Sequence, residues 1–246
     1  MTVLITVWGA SPGMGKSTLC DGLSQWLAAA GLRVDHFHEE EILSRPQFAA
    51  AAEEFKATGR VQLQTLIAAT ANFVDAVVAS GDDVVIADAL MPFVPTLLAM
   101  GHGEETIDAF MTDLTEALVR VRPVMVFLDG NAEPALSRAA TREGEHWLDW
   151  YVEKLASYKV SPPVADVASA VKYLLRERAV TLGAVRRKGW GLIVIERADE
   201  RPPDEVLRVA QRGLRPRLQQ HATSSRTATP AHRPRFGRRR VRSPWW

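Results

Sequence analysis

Only one cysteine, Cys20, occurs in the 246 residues. That excludes a disulfide framework and any metal site built from several thiolates, and it suits a reducing compartment. No apolar run approaches the length that spans a bilayer. The N-terminus enters a core-type strand with no basic segment, apolar stretch and cleavage site ahead of it. A cytoplasmic protein with no membrane partner is expected. Acidic residues are absent after Glu205, whereas eleven of the 30 basic residues, all Arg, follow it, and all 29 acidic side chains lie at or before it. The formal net charge of +1 thus hides an acidic body and a basic tail.

An acidic body argues against a broad nucleic-acid face, which needs clustered Lys and Arg, so no specific nucleic-acid partner is expected. The tail, residues 221–246, is polar, rich in Pro and Arg and almost without aliphatic residues, which predicts disorder. It reads as an unstructured extension with incidental charge or as a nucleic-acid arm. The length allows one α/β domain over residues 1–220 in addition to that tail.

Apolar runs alternate with helical spacing through the body, which predicts a parallel sheet covered by helices on both faces. The strands fall at Val3–Val7, Arg33–Phe37, Val84–Ala87, Val124–Leu128 and Gly191–Ile195, and helices at Leu19–Ala30, Pro46–Ala57, Val61–Ser80 and Glu104–Arg120. Residues 134–182 are helical in character, with a break at Ser161-Pro162-Pro163.

The first strand breaks into Gly9-Ala10-Ser11-Pro12-Gly13-Met14-Gly15-Lys16-Ser17-Thr18. A small-residue loop between a buried strand and a helix points its backbone N–H groups at an anion beside the helix N-terminus. Ser11, Gly13, Met14, Gly15, Lys16, Ser17 and Thr18 are the nucleotide-binding residues on this reading. Lys16 reaches the β- and γ-phosphates, and the Ser17 hydroxyl sits on Mg²⁺. The strict pattern has Gly where this chain has Ala10, a tolerated variant.

In a parallel sheet, ligands gather at the carboxyl ends of strands. The second strand leads into Glu39-Glu40-Glu41, so Glu39 or Glu40 is placed to accept the proton of an attacking hydroxyl, unless all three Glu merely begin a helix. The third and fourth strands lead into Asp88 and Asp129, either of which could hold Mg²⁺ through water. Asp88 is preferred for metal or substrate hydroxyl, because Asp129 precedes Gly-Asn and reads equally well as a turn. His36 and His38 are taken as strand and loop residues, and no zinc is expected. Arg138 and Arg142, four apart on one helix face, could close over the transferring phosphoryl group or could be solvated beside Glu143 and Glu145. Arg186-Arg187-Lys188 could line the nucleotide, with Arg187 as its contact, or could form a surface loop.

The order of these parts resembles the deoxynucleoside kinase and thymidylate kinase group of phosphate-loop proteins. Glu39-Glu40 matches that group's Glu after the second strand. Val61-Gln62-Leu63-Gln64-Thr65-Leu66 is similar to its helix bearing a base-pairing Gln, and Asp88 stands at its acidic motif. Val126–Asp129, Ala135–Glu143 and Trp150–Leu155 are similar to its fourth strand, lid and following helix. The chain departs from the group at Ala89, where Arg is usual. The resemblance implies a five-stranded phosphate-loop NTPase fold with an Arg-bearing helical lid within residues 134–158, and Lys16, Glu39, Glu40, Arg138 and Arg142 as catalytic residues. It further implies ATP and Mg²⁺ as cofactors, Gln64 and Asp88 as substrate contacts, and a homodimer by analogy. The expected activity is transfer of the γ-phosphoryl group of ATP to a hydroxyl of a small molecule, a nucleoside or nucleotide. The alternatives are a kinase of an antibiotic or other secondary metabolite, and a nucleotide-hydrolysing switch acting through a protein partner.

Overall fold

The computed structural model describes residues 1–222 apart from 145, 159 and 161. The tail expected to be disordered lies outside the described residues from 223 onward. Five strands, β1 (Val3–Gly9), β2 (Val34–Phe37), β3 (Val84–Asp88), β4 (Arg122–Leu128) and β5 (Gly191–Ile195), form one sheet in the order β2-β3-β1-β4-β5, with every pairing parallel. All five expected strands are present, with ends displaced by two residues at most. Their legibility has a simple cause: a strand buried on both faces reads as a continuous apolar run, and all seven residues of β1 are buried.

Because side chains alternate across a strand, β1 divides its residues between two cores. Leu4 and Trp8 join Val85, Ala87, Met125 and Phe127 on one face, against α3 (Leu63–Ser80) and α5 (Glu104–Ala117). Val3, Ile5 and Val7 join Val84, Ile86 and Val126 on the other, against α1 (Lys16–Ala29) and α9 (Pro203–Ala222). The first core is centred on Phe37, Phe48, Phe73 and Phe93, whose ring centroids lie 5.3–6.5 Å apart in tilted pairs.

The stretch expected as one helix from Pro46 is a 3₁₀ turn followed by α2 (Ala49–Thr58). The short α4 (Val94–Ala99) follows β3 through a turn in which Ala89 and Phe93 take positive φ. Residues 134–182 resolve into α6 (Ala132–Glu143), α7 (Trp147–Ala156) and α8 (Val167–Arg187). These three enclose a third, separate core of Ala132, Leu136, Tyr151, Leu155, Tyr173 and Leu174. By length and hydropathy α3 could cross a membrane, yet Leu66, Ala69, Phe73, Val74 and Val77 pack into the first core.

Candidate active site

The loop between β1 and α1 sits at the carboxyl edge of the sheet, with β3 and β4 on either side of β1. Gly13 and Gly15 take φ of +81° and +84°, which a side chain disfavours. Gly13 has a second reason to be glycine, since a Cβ there would stand 2.1 Å from the Ala135 carbonyl oxygen of α6. Gly15 caps α1 with no side chain bonded to the helix end, and no acidic residue occupies the first turn, so the N–H groups there are open to an anion. Lys16 Nζ lies 3.5 Å from the Ser11 carbonyl oxygen, folded back over the loop. Met14 is buried beneath it, while Ser17 and Thr18 are exposed.

A cavity of about 420 Å³ opens beside this loop. Lys16, Ser11 and Trp8 form one wall, Phe55 of α2 and Arg60 just beyond it another, and Pro95, Thr96 and Ala99 of α4 with Met100 after it a third. Tyr151, Lys154 and Leu155 of α7 and Glu177 of α8 close it from above. Trp8 donates its indole N–H to the Met91 carbonyl oxygen, which ties the turn after β3 to β1.

The three consecutive Glu residues separate here. Glu39 lines the cavity with Lys16. Glu41 accepts from the Arg45 guanidinium at 2.9 and 3.2 Å and from the His38 N–H, and Arg45 also forks onto Asp35 at 2.6 and 2.9 Å. Glu40 is half-buried and does not line the cavity. Of the pair expected to hold the base, Glu39 is therefore the one facing the loop. Burial pushes its carboxyl up to about 8, Asp88 and Glu40 add to the shift, and Lys16 and Lys154 pull against it. Burial lowers the Lys154 ammonium to about 8, opposed by Glu39, and raises the Glu177 carboxyl to about 7, opposed by Lys16 and the Tyr173 hydroxyl.

Asp88 ends β3 beside Val7 of β1 and is 3% exposed, with its Oδ1 buried and unpartnered. Asp129 is engaged otherwise, because the Arg178 guanidinium on α8 grips both its oxygens and the Gly130 N–H donates to Oδ1. This fork fastens the end of β4 to α8, and it explains why Asp88 and not Asp129 is available for a cation. Arg178→Ala is expected to lower stability by about 1–2 kcal/mol, discounted for the partial exposure of the pair, and a urea melt measures it.

The structure does not gather the other expected site residues. Arg138 and Arg142 lie on the exposed side of α6, because Ala132, Ala135, Leu136 and Ala139 take its inward side, and Arg142 pairs with its neighbour Glu143 at 2.9 Å. Gln64 is exposed near the start of α3 and does not line the cavity, since Leu66, Ala69 and Phe73 point that helix inward. Arg187 bonds to Asp108 of α5 at 2.8 Å, and Lys188 bonds to the same carboxylate at 2.7 Å. Both precede β5 and so stand at the amino edge of the sheet, opposite the loop; they pin α8 to α5 and do not line the cavity. Among the described residues the cations that line the cavity are Lys16, Arg60 and Lys154, and Arg60 donates to the Met100 carbonyl oxygen at 2.8 Å. Trp147 and Tyr151 of α7 stack on each other, at 5.0 Å and 7°.

Lys154 and Glu177 escape sequence reasoning because nothing in a helical repeat marks one charged residue as turned inward. The hint available was that Lys154 lies three residues after Tyr151, and Glu177 three after Leu174, on the sides of α7 and α8 that carry the apolar residues. No protein-family model matches this chain, and no curated protein matches it.

Proposed function

We propose that this chain is an ATP- and Mg²⁺-dependent phosphotransferase of the phosphate-loop NTPase fold, transferring the γ-phosphoryl group to a hydroxyl of a small molecule seated in the 420 Å³ cavity. The observation that carries the reading is that Lys16, at the end of the loop, and Glu39, a carboxyl with a raised affinity for a proton, line one cavity. Loop N–H groups and the Lys16 ammonium hold the phosphates. The residues fit a bound cation, since Asp88 presents a buried, unpartnered Oδ1 and Ser17 an exposed hydroxyl at the start of α1. When bound, Mg²⁺ neutralises charge on the phosphate oxygens.

Glu39 acts as general base, its carboxylate taking the proton of the acceptor hydroxyl as that oxygen bonds to phosphorus. Lys154 is the cation that the arrangement offers beside Glu39, in place of Arg138 and Arg142. Tyr151, Leu155 and the rest of the α7 roof keep water, the competing acceptor, away from the transfer. Phe55, Pro95, Met100 and Leu174 give the cavity apolar walls that suit the flat face of a ring, as in a nucleoside or another hydroxylated metabolite. We place the protein in the cytoplasm on the same reading.

The test is ADP release from ATP and Mg²⁺ with nucleosides, nucleoside monophosphates and hydroxylated antibiotics added singly, with Lys16→Ala as the blank. Stimulation by one compound, with a product heavier by a phosphoryl group, is expected. Slow release that no acceptor stimulates would instead identify a nucleotide-hydrolysing switch.

A further inference from the structure

Behind the phosphate loop, three side chains far apart in sequence meet in the core. Cys20 comes from the second turn of α1, His36 from the edge strand β2 and Asp88 from the end of β3. The sulfur, one imidazole nitrogen and one carboxylate oxygen all lie within 4.8 Å of one another. Cys20 is fully buried and Asp88 is 3% exposed. Two polar atoms in this cluster, His36 Nε2 and Asp88 Oδ1, are buried with no hydrogen-bond partner. Groups left so are rare, and each calls for an explanation.

We propose that Cys20 Sγ, His36 Nε2 and Asp88 Oδ1 form a binding site for a borderline-soft divalent cation, with Zn²⁺ the metal that this donor set selects. A thiolate, an imidazole and a carboxylate are the ligand types of zinc, whereas Mg²⁺ takes oxygen ligands and gains nothing from the first two. An ion at the centre satisfies both orphaned atoms at once. Bonds of about 2.0–2.3 Å to a shared ion require ligand atoms roughly 3.3–3.8 Å apart, so side-chain shifts on the order of 1 Å close the site.

The neighbour on the other side of the imidazole supports this use. Asp21 Oδ1 stands 3.7 Å from His36 Nδ1, so a small shift would bring an Nδ1 proton into hydrogen bonding with it and leave Nε2 as the ligating nitrogen. A carboxylate behind a metal-binding histidine is the usual outer partner of such a ligand. As the sulfur–metal bond forms, the thiol proton leaves to solvent. The test of this site is independent of the phosphotransfer reading, because metal binding is read without nucleotide or acceptor. Asp88 is offered to both ions, so the two uses are alternatives in any one molecule.

The experiment is a Co²⁺ titration of the metal-free 246-residue chain, followed by near-ultraviolet absorption. Cys20 is the sole cysteine, so a thiolate-to-cobalt charge-transfer band can arise nowhere else. The band is expected to saturate at one equivalent and to be displaced by one equivalent of Zn²⁺. It should be lost in Cys20→Ser, and Co²⁺ affinity should fall at least ten-fold in His36→Gln. Should Cys20→Ser fail to fold, His36→Gln, on an edge strand, still decides the matter. Absence of the band at saturating Co²⁺ in folded protein overturns the site, as does a band whose affinity His36→Gln leaves unchanged.

Discussion

Glu39→Gln is expected to lower kcat for the stimulated acceptor by about 10²- to 10⁴-fold, the range that a positioned general base contributes. Nucleotide affinity should stay within a few-fold, because the loop and Lys16 are untouched. Gln fills the same space and can donate or accept a hydrogen bond, but it cannot take the proton. The pH profile gives the sharper signature. With the Glu39 carboxyl at about 8, kcat/KM of the wild type should climb through pH 7 and pH 8, where half the carboxylate has formed, and level only about one unit above that. The Lys154 ammonium, also at about 8, is lost over the same range, so a reaction that uses its charge should instead peak near pH 8 and fall on the alkaline side. The variant should lack the rising limb. The stability sign follows from the same shift. The folded state holds the Glu39 proton up to about 8, whereas an unfolded Glu releases it near its ordinary value of 4.5, so the wild type loses stability as pH rises between those values. Glu39→Gln should flatten part of that slope and melt in more urea than the wild type at pH 8, while the two converge toward pH 4.5. Glu177, at about 7, leaves a residual slope in both proteins. Unchanged kcat together with an unchanged rising limb would remove Glu39 from the reaction.

The parts of this molecule legible in its sequence are those that local chemistry dictates. β1 is a run of seven buried residues, and the loop after it needs glycines at positive φ and a lysine at the helix start, so both announce themselves. The roles of the three Glu residues do not, because only Glu39 faces the cavity. The signal for Glu41 was Arg45 four residues on, the spacing of a helical ion pair, and that arginine holds it away from the site. The direction of a parallel sheet carries information that a motif search ignores. Arg187 precedes a strand, and such a residue stands at the amino edge, so its distance from the loop followed from the strand assignments alone. The cluster of Cys20, His36 and Asp88 illustrates the opposite limit. Its members are spread over almost seventy residues, and they meet only because β3 lies between β1 and β2 and α1 covers that face. The sequence showed two nearby histidines and no further ligands, since sheet order is a tertiary fact. Lys154 and Glu177 belong to the same class, turned inward by the packing of α6, α7 and α8 around their own small core.

Helix α6 passes close against the β1–α1 loop at Gly13, and Gly13→Ala should reveal how much depends on that approach. The added Cβ would lie 2.1 Å from the Ala135 carbonyl oxygen, 3.0 Å from its carbon and 3.3 Å from the Ala139 Cβ. Backbone atoms cannot swing aside as the tip of a long side chain can, so either α6 moves off the loop or the loop itself shifts. The residue must also hold φ +81° with a side chain, a cost of about 1–2 kcal/mol in its own right. Gly15→Ala separates the two effects, because Gly15 has φ +84° and nothing within 4 Å of a Cβ. Gly15→Ala is expected to cost only the conformational part, about 1–2 kcal/mol, and Gly13→Ala at least about 3 kcal/mol, read from paired urea melts. The consequence reaches the cavity, since α6 packs with α7, which carries Tyr151 and Lys154 into its roof. Acceptor KM should therefore rise in Gly13→Ala by a larger factor than in Gly15→Ala, on top of the nucleotide affinity that both lose. Equal melting and equal acceptor KM in the two variants would mean that α6 yields to the loop at no cost, and that the roof over the cavity is not held in place through Gly13.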